Sequence, residues 1–184
     1  MGLDYTNGCV NFRDVGAFVN LILGEQRLAE GIIFRGGSID YIRSEAEIEF
    51  PKSIINLRKR PDFDGVDAEY FHFPMANQVE RYDTTQKEVR RWLNRIIGIF
   101  ENPDLKYPVL IHCLSGKDRT GIVVAALLLI LGLDRSTIVE EYMLSEGEVR
   151  EELVNMALDG MKDVDRYFER TDLEKVRKNV LNAI

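Results

Sequence analysis

The sequence predicts an α/β fold, a central and largely parallel sheet of four or five strands flanked by helices. Three observations predict it. Short β-branched and aromatic runs alternate with helical periodicity through the middle of the chain, the order that builds parallel strands joined by crossover helices. The last third carries helical patterning without strand signals. An apolar run at 107 to 113 passes through a short polar loop into a second apolar run at 120 to 131, too long for a strand, so a buried strand feeds a buried helix.

Taken in order, "NFRDVG" (11 to 16) reads as loop and short strand, and "GIIFRGG" (31 to 37) as a strand bounded by glycines, so that the first third is loops and short strands. In "SEAEIEF" (44 to 50) Ser44 is an N-cap with Glu47 three places on, which predicts a short helix stopped by Pro51. "KSIINLR" (52 to 58) and "EYFHFPM" (69 to 75) are compact strands ended by turn chemistry. Between 86 and 101, Val89, Trp92, Leu93, Ile96, Ile97 and Phe100 fall on one helical face, which assigns Trp92 to the core. "YPVLIHC" is the fifth strand, and 120 to 131 is apolar nearly all round and therefore an internal helix. From 136 to 184 the pattern is helical, with breaks near Gly147, Gly160 and Thr171. There is no internal repeat, low-complexity tract or linker, and the expectation is a single domain over 1 to 184.

The 184 residues are 45% hydrophobic and 30% charged, ordinary for a soluble globular protein. No basic segment leads into a long apolar one near Met1, and the uncharged run from 121 to 133 is shorter than the ~20 residues that span a bilayer. A cytoplasmic protein without integral membrane association is expected. Cys9 and Cys113 are too few for a disulfide scaffold or a four-ligand zinc site. The formal net charge of -7 argues against non-specific nucleic-acid binding but not against a small anionic substrate, because a pocket answers to its own local charges.

"HCLSGKDRTG" (112 to 121) carries the chemistry. A loop between a parallel strand and a helix lies where such sheets collect ligands, and its backbone N–H groups, with the unsatisfied first turn of the helix behind them, make an anion site. Arg119, six places after Cys113, brings a planar fork of donors to the same anion. A thiol in that cradle should lose its proton readily, so Cys113 becomes the nucleophile, with Leu114, Ser115, Gly116, Lys117, Asp118, Arg119 and Thr120 binding the phosphoryl group. The chemistry that follows is phosphoryl transfer to sulfur and hydrolysis of the thiophosphate, with Thr120 donating its hydroxyl to the sulfur. No metal or cofactor is needed, since Arg119 and the amides stabilise the charge. The Cys-to-Arg spacing alone is a weak signal; the full context of buried strand, His-Cys, Gly116, Arg-Thr-Gly and internal helix is a strong one and outweighs an inert core thiol. Lys117 lacks the flanking residues of a nucleotide P-loop.

With these residues in place, the chain resembles the cysteine-based protein tyrosine and dual-specificity phosphatases, whose signature is His-Cys, five residues, Arg, Ser or Thr, Gly. The "GKDRTG" form is similar to a bacterial and fungal branch that also carries an "NFRD-G" element, here "NFRDVG". "FRGG", "IINLR" and "IVEEYMLS" extend the resemblance from residue 11 to about 145, with Ala17 and Asn56 departing from the usual Gly and Asp. The resemblance implies a phosphatase-type P-loop between the core strand and the buried helix, and substrates among phosphotyrosine, phosphoserine or phosphothreonine in protein, and phosphoinositides. It also implies that Arg13 and Arg35 pair with carboxylates. For the general acid two residues stand. Asp118 lies beside Arg119 at the place where the branch is thought to carry its acid, and is preferred; Asp83 sits at the distance before Cys113 at which classical members carry theirs.

Lys117 should add charge at the pocket rim, and His112 should orient the loop and tune the sulfur. His72 reads as a satisfied, partly buried histidine. Arg58, Lys59 and Arg60 follow a strand and either hold a second phosphate or an acidic flank of a peptide, or form a solvated run. Cys9 is incidental or a trap for oxidised Cys113. Two other classes remain beside the phosphatase: a module that captures phosphorylated ligands without turnover, and a thiol reductase or sulfur-transfer enzyme with a related loop, against which Thr120 and Gly121 count.

Overall fold

A computed structural model describes residues 2–75 and 81–183 of the chain. In chain order its elements are β1 (Arg13–Asp14), α1 (Val15–Leu23), β2 (Ile33–Gly36), a 3-10 turn (Glu45–Ile48), β3 (Ser53–Asn56), β4 (Glu69–His72), α2 (Lys87–Ile97), a second 3-10 turn (Gly98–Glu101), β5 (Val109–His112), α3 (Asp118–Ile130), α4 (Arg135–Met143), α5 (Glu151–Gly160), α6 (Val164–Tyr167) and α7 (Leu173–Leu181). The five strands form one mixed sheet in the order β1-β2-β5-β3-β4, parallel except for β1 at the edge. The register sets Gly36, His112, Asn56 and His72 side by side at the carboxyl ends of the four parallel strands. The loops that leave those four residues therefore start from one edge of the sheet.

Period-two alternation explains both cores. Ile33, Ile55, Val109 and Ile111 point to the face covered by α3 and its neighbouring helices, while Phe34, Ile54 and Leu110 point to a smaller cluster with Ile39 and Ile48. A sheet covered on both faces needs continuous apolar strands, and "SIIN" and "VLIH" are buried throughout. Helix α3 lies inside the larger cluster, as its all-round apolar pattern requires. Trp92 is buried, and its indole N–H donates to the Phe73 carbonyl at 2.9 Å.

Three elements differ from the sequence expectation. The first third contains a helix, α1, that reads from sequence as loop. Asp14 caps it by accepting from Gly16 N and Ala17 N, and Gly24 ends it at φ 69. The start and stop signals are present, but the interior "VGAFVNLIL" holds β-branched residues and a glycine that lower helix propensity. Packing overrides that preference: a Cβ on Gly16 would lie 2.2 Å from the Ala29 carbonyl oxygen, so close approach demands the glycine. The helix predicted at Ser44 is only a 3-10 turn. Ser44 makes no side-chain cap bond and Glu47 turns to the Arg43 N–H, one residue before the box it should close. Helix α3 begins at Asp118, two residues before its apolar pattern, because its first turn faces the loop and carries charge.

Candidate active site

The loop from Cys113 to Lys117 is held almost entirely by its carbonyls. The Leu114 oxygen accepts from Ser38 N–H at 2.8 Å, Ser115 oxygen from the Asn11 side-chain amide at 2.8 Å, Gly116 oxygen from Arg35 Nη2 at 3.0 Å, and Lys117 oxygen from Gly121 N–H at 2.8 Å. A trans peptide points its N–H opposite to its C=O. Four carbonyls tied to the scaffold therefore turn the N–H groups of residues 115 to 118 to the other side, and among the described residues none of the N–H groups of 114 to 117 donates to a backbone carbonyl. The first turn of α3 adds its own unpaired N–H groups. An anion is what such a concavity binds.

Glycines permit this curl. Gly116 sits at φ 68, and a Cβ there would fall 2.4 Å from the carbonyl carbon of Gly36 and 2.6 Å from Gly37 N. The "FRGG" turn thus lies directly against the loop, and Gly37 in turn has no room for a side chain beneath Leu114.

Beneath the loop is a buried ionic layer. Glu141 of α4, 1% exposed, accepts from Arg13 Nε at 2.8 Å through one oxygen and from Arg35 Nη1 through the other. Arg13 also donates to the Glu141 carbonyl and to Ser145 Oγ. Burial, and then the neighbouring Arg35, pull the Arg13 guanidinium down to about 10 against the attraction of Glu141. Arg35 is thus a link from this layer to the loop. Asn11, in the left-handed region at φ 56, ties Ser115 to the Glu146 backbone. These contacts account for the "NFRD" element, and the pairing of both arginines with a carboxylate is as the resemblance implies.

Within the site, Cys113 is 1% exposed. The Arg119 guanidinium is anchored by Nη1 donating to Leu57 O at 2.8 Å, while its Nε is buried without a partner among the described residues. The Thr120 hydroxyl is likewise buried and unpartnered there. Asp118 accepts from the Tyr82 hydroxyl at 2.6 Å, and Tyr82 pairs with Tyr142 at 2.7 Å. Burial and the Asp118 bond push the Tyr82 phenol far up, so it stays a donor. Asp83, the other acid considered, is used locally: it accepts from the Thr85 hydroxyl and N–H and from Gln86 Nε2, which hold its carboxyl below the usual range and so keep it ionised, without a proton to give, at neutral pH. Leu114 is exposed, and Lys117 is half-buried at the start of α3.

A second polar chain reaches His112, the neighbour of Cys113. His112 Nε2 meets Asp62 at 2.7 Å, both buried; Asp62 meets Arg58 at 3.3 Å, and Arg58 holds Asp40 through two bonds of 2.7 and 2.8 Å and Ser38 at 2.9 Å. Arg58 is therefore neither a second phosphate ligand nor a solvated charge, but the brace of the loops after β2 and β3. Lys59 and Arg60 are exposed. His72 Nε2 donates to the Arg58 carbonyl, 2.9 Å away, partly buried as expected. Cys9 packs under Gly36 with its thiol 3.5 Å from the Gly37 carbonyl, and burial pushes that thiol up to about 12.

Sequence reasoning missed Glu141, Ser38, Asp62, Tyr82 and Tyr142 as site residues. Glu141 and Tyr142 lie in the "IVEEYMLS" match, which is a signal of sorts; Ser38, Asp62 and Tyr82 carry none, because the partners they meet at the site lie 36 to 76 residues away.

Comparison with known proteins agrees with this architecture. The triple specificity protein phosphatase PtpB of Mycobacterium tuberculosis (strain ATCC 25618 / H37Rv) is 40% identical over 81 residues, 44% of this chain but only 25% of that protein, so the chain matches about a quarter of its relative's length. The core catalytic domain of the PP-IP phosphatase SIW14 from S. cerevisiae, in complex with citrate, superposes with a TM-score of 0.53 at 20% identity, covering 76% of this chain and 91% of that one. A second structure of the Siw14 catalytic core gives 0.52 at 18% identity, over 77% and 90%. At these identities the two structures establish the shared fold. The family model described as the tyrosine phosphatase family matches residues 5–184, nearly the whole sequence, and the chain belongs to the tyrosine phosphatase family.

Proposed function

We propose that this chain is one catalytic domain that hydrolyses phosphate monoesters through a cysteinyl-phosphate, with phosphotyrosine in protein as its first substrate. The observation that carries the proposal is the set of four outward-tied carbonyls around Cys113, which leaves a run of N–H groups for the phosphoryl oxygens. In this mechanism the Cys113 sulfur attacks phosphorus, the S–P bond forms as the ester P–O bond breaks, and Asp118 gives its proton to the departing oxygen. Arg119, already fixed by Leu57, offers Nε and the rest of its fork to the phosphoryl group. Water then attacks phosphorus and loses a proton to Asp118, the S–P bond breaks, and the Thr120 hydroxyl donates to the departing sulfur. Leu114, Ser115, Gly116, Lys117 and Thr120 complete the binding loop.

Tyr82 supports Asp118 as the acid over Asp83, because it fixes the carboxyl beside Arg119 whereas Asp83 is spent on Thr85 and Gln86. The triple specificity in the name of PtpB supports a substrate range wider than phosphotyrosine alone, with phosphoserine and phosphothreonine the next candidates. Phosphoinositides are the runner-up, resting on Lys117 now that Arg58 is committed elsewhere. Two free cysteines suit a cytoplasmic setting, and among the described residues no helix is long and apolar enough to cross a membrane.

The test is hydrolysis of p-nitrophenyl phosphate, a phosphotyrosine peptide, a phosphoserine peptide and a phosphoinositide without added metal. Cys113→Ser should abolish all turnover, and Asp118→Asn should lower kcat/KM for the phosphotyrosine peptide by about 100-fold or more while largely sparing kcat/KM for p-nitrophenyl phosphate, whose leaving group needs no proton. Turnover by Cys113→Ser would sink the mechanism, and a selective loss in Asp83→Asn would move the acid. Phosphate binding without turnover by the wild type would favour the binding module.

A further inference from the structure

We propose that the groove between α2 and the turn joining α6 to α7 binds an acidic segment flanking the phosphorylated residue of a protein substrate; this rests on the phosphatase reading above. The groove has a volume of about 370 Å3, and one wall is the exposed face of α2. Lys87, Arg91 and Arg95 stand there at i, i+4 and i+8, in a chain whose net charge is -7, and Arg170 faces them from the other wall.

Cations four apart on a helix repel one another, and an isolated helix would be better with glutamates between them. The groove's two carboxylates offset only part of the repulsion. Glu169 is taken by Arg90, which is itself engaged with the Arg166 and Tyr167 carbonyls and lies over the Tyr167 ring. Glu101 accepts from the Asp172 N–H. Arg95 rests over Phe73, 5.2 Å from the ring centre, and among the described residues Lys87, Arg91 and Arg170 have no ion pair. What remains is a concave surface of net positive charge, five cations against Glu101 and Glu169, with Glu88 the one acidic residue of α2 beside the stripe.

Its position and length select the occupant. The stripe begins five residues after Tyr82, whose hydroxyl is on Asp118, so it leads away from the reaction loop. Eight residues of helix rise about 12 Å, the reach of about four residues of extended chain. A groove with two walls suits a strand of chain, whereas an anionic lipid surface suits a flat face.

The experiment compares two phosphotyrosine peptides, one with four glutamates on one flank or the other and one with serines there, with p-nitrophenyl phosphate as the small control. Wild type should show kcat/KM about three- to tenfold higher for an acidic peptide, a preference that fades with salt. Lys87→Glu/Arg91→Glu, and independently Arg170→Glu, should erase the preference and leave p-nitrophenyl phosphate turnover unchanged. Equal rates for the peptides in wild type, or a preference that survives both variants, would overturn the proposal. If the wild type turns over no p-nitrophenyl phosphate, it is the phosphatase reading that fails. The groove is then judged by fluorescence anisotropy with the unphosphorylated glutamate peptide, whose binding must be lost in both variants; absence of binding overturns it. Cosedimentation with phosphatidylserine-containing vesicles that the same substitutions abolish, with no peptide effect, would overturn it in favour of a lipid surface.

Discussion

Glu141→Gln should destabilise the protein more than any surface change and should loosen the reaction loop with it. The substitution keeps size and an acceptor oxygen but removes the carboxylate that, among the described residues, alone pairs with these two buried guanidinium groups, with side chains 1% exposed for Glu141, 4% for Arg13 and 0% for Arg35. Breaking a buried pair from one side costs about 3–5 kcal/mol, because the remaining charge keeps its desolvation penalty without its partner. Here two cations remain, and burial, with Arg35 second, already pulls Arg13 down to about 10 even with Glu141 in place. For a chain of this size each kcal/mol lowers Tm by about 2–4 °C, so a drop of about 10 °C is expected. Because Arg35 also holds the Gly116 carbonyl, kcat/KM on p-nitrophenyl phosphate should fall together with Tm. Adding Arg13→Gln removes one uncompensated cation and should restore part of the loss, a non-additivity of about 0.5–3 kcal/mol. Calorimetry with parallel kinetics is the assay. A single variant melting within about 2 °C of wild type would refute the premise that this layer is desolvated and tightly coupled.

Gly116→Ala combines a left-handed backbone with a Cβ 2.4 Å from Gly36; a stability loss of about 2–4 kcal/mol and loss of turnover are expected, and a wild-type melt with normal kinetics would contradict the packing of loop against turn. Asp40 is held below the usual carboxylate range by its bonds from Arg58. A depressed folded value stabilises above the unfolded value and is lost as pH falls through the folded one. The urea midpoint of wild type should therefore exceed that of Asp40→Asn at about pH 7, with the gap narrowing as pH falls through and below the ordinary carboxylate range; a gap that does not narrow counts against the pair. Cys9, pushed up to about 12 by burial, should resist iodoacetamide at neutral pH until the chain unfolds, and peptide mass mapping that finds native Cys9 alkylated would show the site to be open.

What could be read in advance was local. The strand, loop and helix of residues 107 to 131 betray themselves by an apolar run, a polar break and a second run, because burial and period act on neighbours in sequence. The same holds for α2, whose apolar face appears every three or four residues. Helix α1 was obscured because its capping residues, Asp14 and Gly24, enclose a stretch whose own propensity is poor, and contact with Ala29 makes it helical.

The sequence by itself determined the sheet-and-helix class and the thiol, arginine and hydroxyl of the reaction loop, since spacing within ten residues needs only one local conformation to become geometry. Tertiary structure alone decided what holds that loop open: Asn11 to Ser115 across 104 residues, Arg13 to Glu141 across 128, Tyr82 to Asp118 across 36. It also decided that Arg58 braces rather than binds. Side chains so far apart in sequence meet only when the whole chain has folded, and desolvation then makes a charge either a strut or a ligand.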